Sequence, residues 1–169
     1  MSDLSAIHKL LSWPETDKYN ALGIPANMDE TKLLVARWMR NNDLKSTKNF
    51  TFAIENTQGH IFMGLFGLNL GNIKYKRGEV WFKIHPDFWN QGFATEVLER
   101  MLDFGFSTLQ LHRIQAGCAV ENKASIQVLE KVGMVREGRG RQVLPLKSGW
   151  SDNFEYAILE SDDRNRSAT

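Results

Sequence analysis

Cysteine is nearly absent. Cys118 stands alone in 169 residues, so no intramolecular disulfide can form and a cysteine-based zinc site is not expected, a composition suited to a reducing compartment. Charge of one sign is lacking too: 21 Lys plus Arg against 20 Asp plus Glu leave a net +1. That balance supplies no global field for a polyanion or a membrane surface, so any anion must be bound locally. The longest apolar run, Ile61 to Leu68, is broken by glycines and falls far short of the roughly 20 residues of a membrane span. The opening segment carries Asp3 and no long apolar stretch, unlike a signal peptide. Four histidines show no HExxH or comparable ligand spacing, and no metal is predicted. A cytoplasmic protein is expected, with neither a membrane nor a nucleic acid as partner.

No internal repeat, linker or low-complexity block divides the chain, and its length is that of one domain, residues 1–169, with Asp162 to Thr169 as a solvated, disordered tail. The N-terminal third has a helical period. Ile7, Leu10 and Leu11 share a face, Pro14 ends that helix, and Leu33, Leu34, Ala36, Arg37 and Trp38 form a second helix behind Asp29 as N-cap. From Phe50 the period becomes two. Phe50, Phe52 and Ile54 alternate with polar or small residues, Asn56 to Gly59 turns, and strands follow at Ile61 to Leu70 and Glu79 to Ile84. After Pro86, Ala94, Val97, Leu98, Met101, Leu102 and Phe106 mark a helix. Arg113 to Val120 is β-like, Asn122 to Gly133 is a short helix between an Asn cap and a Gly stop, and Phe154 to Leu159 is a last strand. Strand, helix, strand at the centre predicts a parallel pair inside a mixed, mostly antiparallel sheet, an α/β (α+β) architecture.

The stretch Ile84 to Glu96 carries the chemistry. A strand runs into a loop that opens a helix, and Gly92 with Ala94 keeps side chains away from the first amides. Those amides lack intrahelical acceptors and sit at the positive end of the helix dipole, so a phosphate fits there. Tight helix-to-sheet packing explains the same two small residues. Neither a Walker loop nor three spaced dinucleotide-binding glycines is present.

Five ordered segments decide between those readings: Glu79 to Pro86, Trp89 to Glu96, Val120 to Ser125, Glu130 to Gly138, and Asp152 with Tyr156 to Leu159. In this order the chain resembles the GNAT superfamily of acyl-CoA-dependent N-acetyltransferases, and within it the RimJ/RimL-like branch, over roughly residues 50 to 160. The resemblance implies the GNAT fold, with a central splayed parallel pair flanked by helices and acetyl-CoA as cosubstrate in the gap. Pyrophosphate would rest on the amides of Asn90, Gln91, Gly92, Phe93, Ala94 and Thr95, pantetheine would pair with the backbone near Phe82 and Ile84, and Asn122 would reach the cofactor. Trp89 occupies a position that often holds Arg or Gln in the family, removing one phosphate donor. The usual first strand is not visible ahead of Ile7.

Acetyl transfer needs a neutral amine, a polarised thioester, a proton sink and an acid for the leaving thiolate. By resemblance Glu79 is the sink, acting through water, although a strand-end carboxylate beside Lys76 and Arg77 is an equal reading. The tyrosine that serves as acid in many GNAT proteins is replaced by Leu129, and Ser125 is the candidate instead, with helix capping beside Asn122 as its other role. A Glu that some RimL-like enzymes carry is replaced by Leu144.

Cys118 and His112 share a strand face without reaching each other, and Cys118 reads as a buried thiol. His85 reads as packed or solvated, and Arg136, Arg139 and Arg141 as a solvated loop with RNA contact as the alternative. The expected function is acetyl transfer from acetyl-CoA to a primary amine, with a protein N-terminal α-amine as acceptor and a small polyamine, amino acid or amino sugar as competitors. A non-catalytic acyl-CoA-binding sensor or interaction module is the alternative, and a homodimer is compatible with either.

Overall fold

The computed structural model describes residues 3–42 and 47–164. Helix α1 (Leu4–Ser12) buries Ile7, Leu10 and Leu11, the face set by the three-and-four spacing. Pro14 does end α1, yet it also occupies the first turn of α2 (Pro14–Asp17), where a missing N–H costs nothing. The Thr16 hydroxyl ties the two together, donating to the carbonyls of Leu10 (2.7 Å) and Trp13 (2.9 Å). Helix α3 (Met28–Asn42) starts two residues earlier than Asp29 suggested. Asn27 is its cap: its Oδ1 accepts the Glu30 N–H, while the Glu30 carboxylate accepts the Ala26 N–H. The buried face of α3 holds Thr31 and Val35, and Leu33 is exposed.

Strands β1 (Asn49–Glu55), β2 (Phe62–Leu70) and β3 (Arg77–Ile84) form the expected antiparallel meander. Helix α4 (Phe93–Asp103) leads to β4 (Arg113–Ala119), and α5 (Lys123–Lys131) leads to the hairpin of β5 (Val135–Leu146) and β6 (Gly149–Leu159). All six strands make one sheet in the order β1-β2-β3-β4-β6-β5, antiparallel except for β3 against β4. This is the GNAT fold.

Strand β5 corrects the reading of Arg136 to Arg141 as a loop. Its burial pattern is exposed almost throughout, so no period-two signal marks it, and its long pairing with β6 makes the strand. The arginines are engaged there: Arg139 bonds Asp152 and Arg136 lies 4.6 Å from the centre of the Phe154 ring. Within the expected tail, Asp162 accepts the Leu159 N–H and Arg164 pairs with Asp103; residues 165–169 lie outside the described residues.

Two clusters fill the two faces of the sheet. The larger gathers Phe66, Leu68, Val80 and Ile84 with Leu98 and Leu102 of α4, Leu129 of α5, and Ile114, Tyr156 and Ile158. On the opposite face Ile7, Leu10, Leu11 and Val35 meet Leu65, with Trp38 and Trp81 packed against them. Gly67 makes that possible, since a Cβ there would lie 2.0 Å from the Trp81 indole.

Candidate active site

Strands β3 and β4 pair only at their beginnings, Arg77 with Arg113, Gly78 with Ile114 and Glu79 with Gln115. Beyond that point both continue, β3 to Ile84 and β4 to Ala119, without bonding to each other. The His85 amide donates to the Met63 carbonyl at 2.8 Å. By strand alternation the odd-numbered residues of β3 therefore bond β2, while Val80, Phe82 and Ile84 turn their backbone groups toward the opening. A cleft of about 400 Å³ occupies the fork. Its lining includes Glu79, Phe82, Lys83 and Ile84 from β3, Ala94 from α4, Cys118 and Ala119 from β4, Asn122 and Ser125 from α5, and Glu15, Thr16, Tyr19 and Asn20 from the α2 region.

The loop before α4 has the conformation an anion site needs. Asn90 (φ 58°) and Gly92 (φ 86°) are both left-handed, Gly92 is the N-cap, and no side chain caps the helix. The first amide with an intrahelical acceptor is that of Glu96, bonded to the Gly92 carbonyl, and a Cβ on Gly92 would meet nothing within 4 Å. The amides of Phe93, Ala94 and Thr95 are thus left at the helix's positive end. Their side chains do other work: Phe93 packs on Phe88 and the large cluster, and Thr95 is buried. The Gln91 side chain donates to the Asp87 carbonyl and braces the loop. Of the six residues Asn90, Gln91, Gly92, Phe93, Ala94 and Thr95 only Ala94 lines the cleft itself.

Trp89 has a role that its lost donor did not suggest. Its Nε1 donates to the Ile84 carbonyl at 2.7 Å, tying the loop to the end of β3. That carbonyl is therefore engaged, and Phe82 is the member of the predicted backbone pair with both groups facing the opening.

At the floor, Asn122 caps α5 by accepting the Ser125 N–H, which uses its Oδ1 and leaves its NH₂ to donate. The Ser125 hydroxyl is not the cap. Ser125 lines the cleft together with Cys118, whose thiol donates to the carbonyls of Ala119 (3.6 Å) and Asn122 (3.7 Å) and is pushed up to about 11 by burial. A thiol held protonated at neutral pH is a poor nucleophile. Leu129 is buried against the same floor. Tyr156 offers no substitute acid, because it lies in the core with its hydroxyl on Glu130 and its ionisation pushed up to about 12, chiefly by burial.

His85 is buried between Trp13, 5.1 Å between ring centres, and Phe88, with Nδ1 accepting the Asp87 N–H. Among the described residues no group of three His, Cys, Asp or Glu could hold a metal ion, and no helix is long and apolar enough to cross a membrane.

The family description "Acetyltransferase (GNAT) domain" matches residues 1–135. YnaD, an uncharacterized N-acetyltransferase of Bacillus subtilis, is 38% identical over 104 residues, 62% of this chain and 58% of that protein, so the match spans little more than half of this relative. YoaA, a second uncharacterized N-acetyltransferase of that organism, is 30% identical over 94% of this chain and 88% of its own length. The crystal structure of spermidine N-acetyltransferase from Vibrio cholerae in complex with CoA and spermine superposes with a TM-score of 0.83 at 28% identity, covering 95% of this chain and 91% of that one. The chain belongs to the GNAT family of N-acetyltransferases.

Sequence reasoning missed the wall contributed by α2, and it missed Lys83. Alternation on β3 placed Lys83 beside Trp81 on one face and would have flagged a charge on an otherwise covered strand. No sequence signal brought Glu15 to Asn20 to the fork, because that contact depends on how α1 and α2 lie against the sheet.

Proposed function

We propose that this chain joins the acetyl group of acetyl-CoA to a primary amine by direct attack within a ternary complex. The observation that carries the reading is the parallel pair that parts after Glu79, which leaves the backbone of Phe82 open beside uncapped helix amides. Those groups suit a pantetheine amide and a diphosphate, and acetyl-CoA supplies the activated thioester. Asn122, with its NH₂ turned to donate, is the cofactor contact from α5.

Glu79 stands at the apex of the fork, exposed and lining the cleft, and takes the ammonium proton through water. The neutral nitrogen then bonds the thioester carbon, the C–S bond breaks, the nitrogen gives its surplus proton to solvent, and the Ser125 hydroxyl protonates the departing thiolate before recovering its proton from solvent. Ser125 fits that task because it is half-buried, lines the cleft, and leaves the capping of α5 to Asn122. The RimJ/RimL-like motifs favour an α-amine as acceptor, whereas the Vibrio relative is a spermidine acetyltransferase.

Thiol release from acetyl-CoA across a panel of N-terminal peptides, amino acids, amino sugars and polyamines tests the reading. Amine-dependent release is expected, with loss of turnover in Glu79→Gln and Ser125→Ala. Stabilisation by CoA without release on any acceptor would replace it with an acyl-CoA sensor.

A further inference from the structure

Glu79, Trp81, Lys83 and His85 alternate onto the face of β3 that meets α1 to α3, as the packing of Trp81 on Trp38 and of His85 on Trp13 shows. Lys83 is the anomaly in that row. It is 5% exposed, it lines the cleft, and its Nζ has no hydrogen-bond partner. From α2 comes a second anomaly. Asp17 is 6% exposed and its Oδ1 is also without a partner. The two residues feel each other's charge, yet they form no ion pair within 4.0 Å.

Burying a charge without a partner is costly, and Lys83 presents such a charge to an open cleft. The group that satisfies it carries an anionic acceptor. Glu15 and Glu79 line the same wall and attract the amine of any acceptor, so they do not select among amines. Lys83 does: a carboxylate is drawn to it, and the second or third ammonium of a polyamine is repelled.

We infer that Lys83 determines acceptor specificity, selecting an amine that also bears a carboxylate, such as a free amino acid, over a polyamine. The inference rests on the acetyltransfer reading above and sharpens it. With the amine nitrogen in reach of Glu79 through water, the carboxylate of such an acceptor meets the Lys83 ammonium where that side chain lines the cleft. Burial lowers the Lys83 ammonium from its ordinary value while Asp17 pulls it back up, so an incoming carboxylate also strengthens its hold on the proton.

The experiment compares kcat/KM for free amino acids, their carboxamides and spermidine, with acetyl-CoA saturating, in the wild type and in Lys83→Met. The wild type is expected to favour at least one free acid over its carboxamide and over spermidine by tenfold or more, and Lys83→Met to bring the acid-to-amide ratio close to one. A purely structural Lys83 would lower all acceptors together and leave that ratio unchanged, which overturns the inference. If Lys83→Met shows no CoA-dependent melting shift, Asp17→Asn/Lys83→Met, which removes both charges, supplies the same ratio. Turnover of spermidine with refusal of the acids overturns this inference alone, whereas silence with every amine overturns the acetyltransfer reading with it.

Discussion

The two faces of the sheet are built differently. Among the described residues, the face under α4 and α5 buries a cluster of 17 apolar side chains, while the face under α1 and α3 buries five. On the first, helix ends and strand backbones are held open by a large core. On the second, the fork is closed by α2 and the residues after it, beside Lys83, a buried ammonium without a hydrogen-bond partner. Under the proposed acetyl transfer the difference is a division of labour: the face that would meet the cosubstrate rests on the large core and carries the motifs, and the face that would meet the acceptor tolerates polar strain. Binding energy withheld from the fold is available to a ligand.

The strongest test of that comparison is a truncation on each face. Leu98→Ala, at a fully buried position of α4, is expected to cost about 2–5 kcal/mol of global stability in denaturant unfolding. Leu11→Ala should instead loosen α1 and α3 first, seen as faster amide exchange there than in β4 and β6. Equal protection of α1 and β4 in the wild type would break the distinction.

Next in size is Glu79→Gln. A roughly 10²-fold or larger fall in kcat, with the KM for acetyl-CoA little changed, is expected of a group that handles a proton and not the cofactor. A parallel rise in that KM would move Glu79 to the donor side.

Gly92→Ala probes the loop. An alanine held at φ 86° costs on the order of 1–2 kcal/mol and should lower Tm by a few degrees and raise the KM for acetyl-CoA, leaving the ranking of acceptors intact.

The smallest effects are titrations. Cys118, with its thiol at about 11, should resist alkylation at pH 8 and react once the protein is unfolded. Lys83 is lowered by burial, so the unfolded chain binds that proton more tightly. Stability of the wild type relative to Lys83→Met should therefore rise with pH between the lowered value and the ordinary lysine range.

Much of the donor side was legible beforehand. The strand ending at Ile84, the glycine at the mouth of α4 and the Asn122 cap all carry local signals, of period, of positive φ and of capping chemistry, and the structure has each in place. Asp29 misled because Asn27, two residues earlier, competes as a cap and has Glu30 to complete the box. Strand β5 was unreadable because both of its faces are exposed, so neither burial nor alternation marked it. Trp89 looked like a missing donor, and only the folded loop shows it bonding to Ile84.

By itself the sequence determined the absence of an intramolecular disulfide, from its single cysteine, and the order of elements apart from α2 and β5 and the uncapped start of α4, which depend on residues within a turn or two of one another. The tertiary structure alone decided where β3 and β4 part, that α2 closes the fork, and that Lys83 is buried there without a hydrogen-bond partner. Those are distances between segments far apart along the chain, and packing, not local preference, sets them.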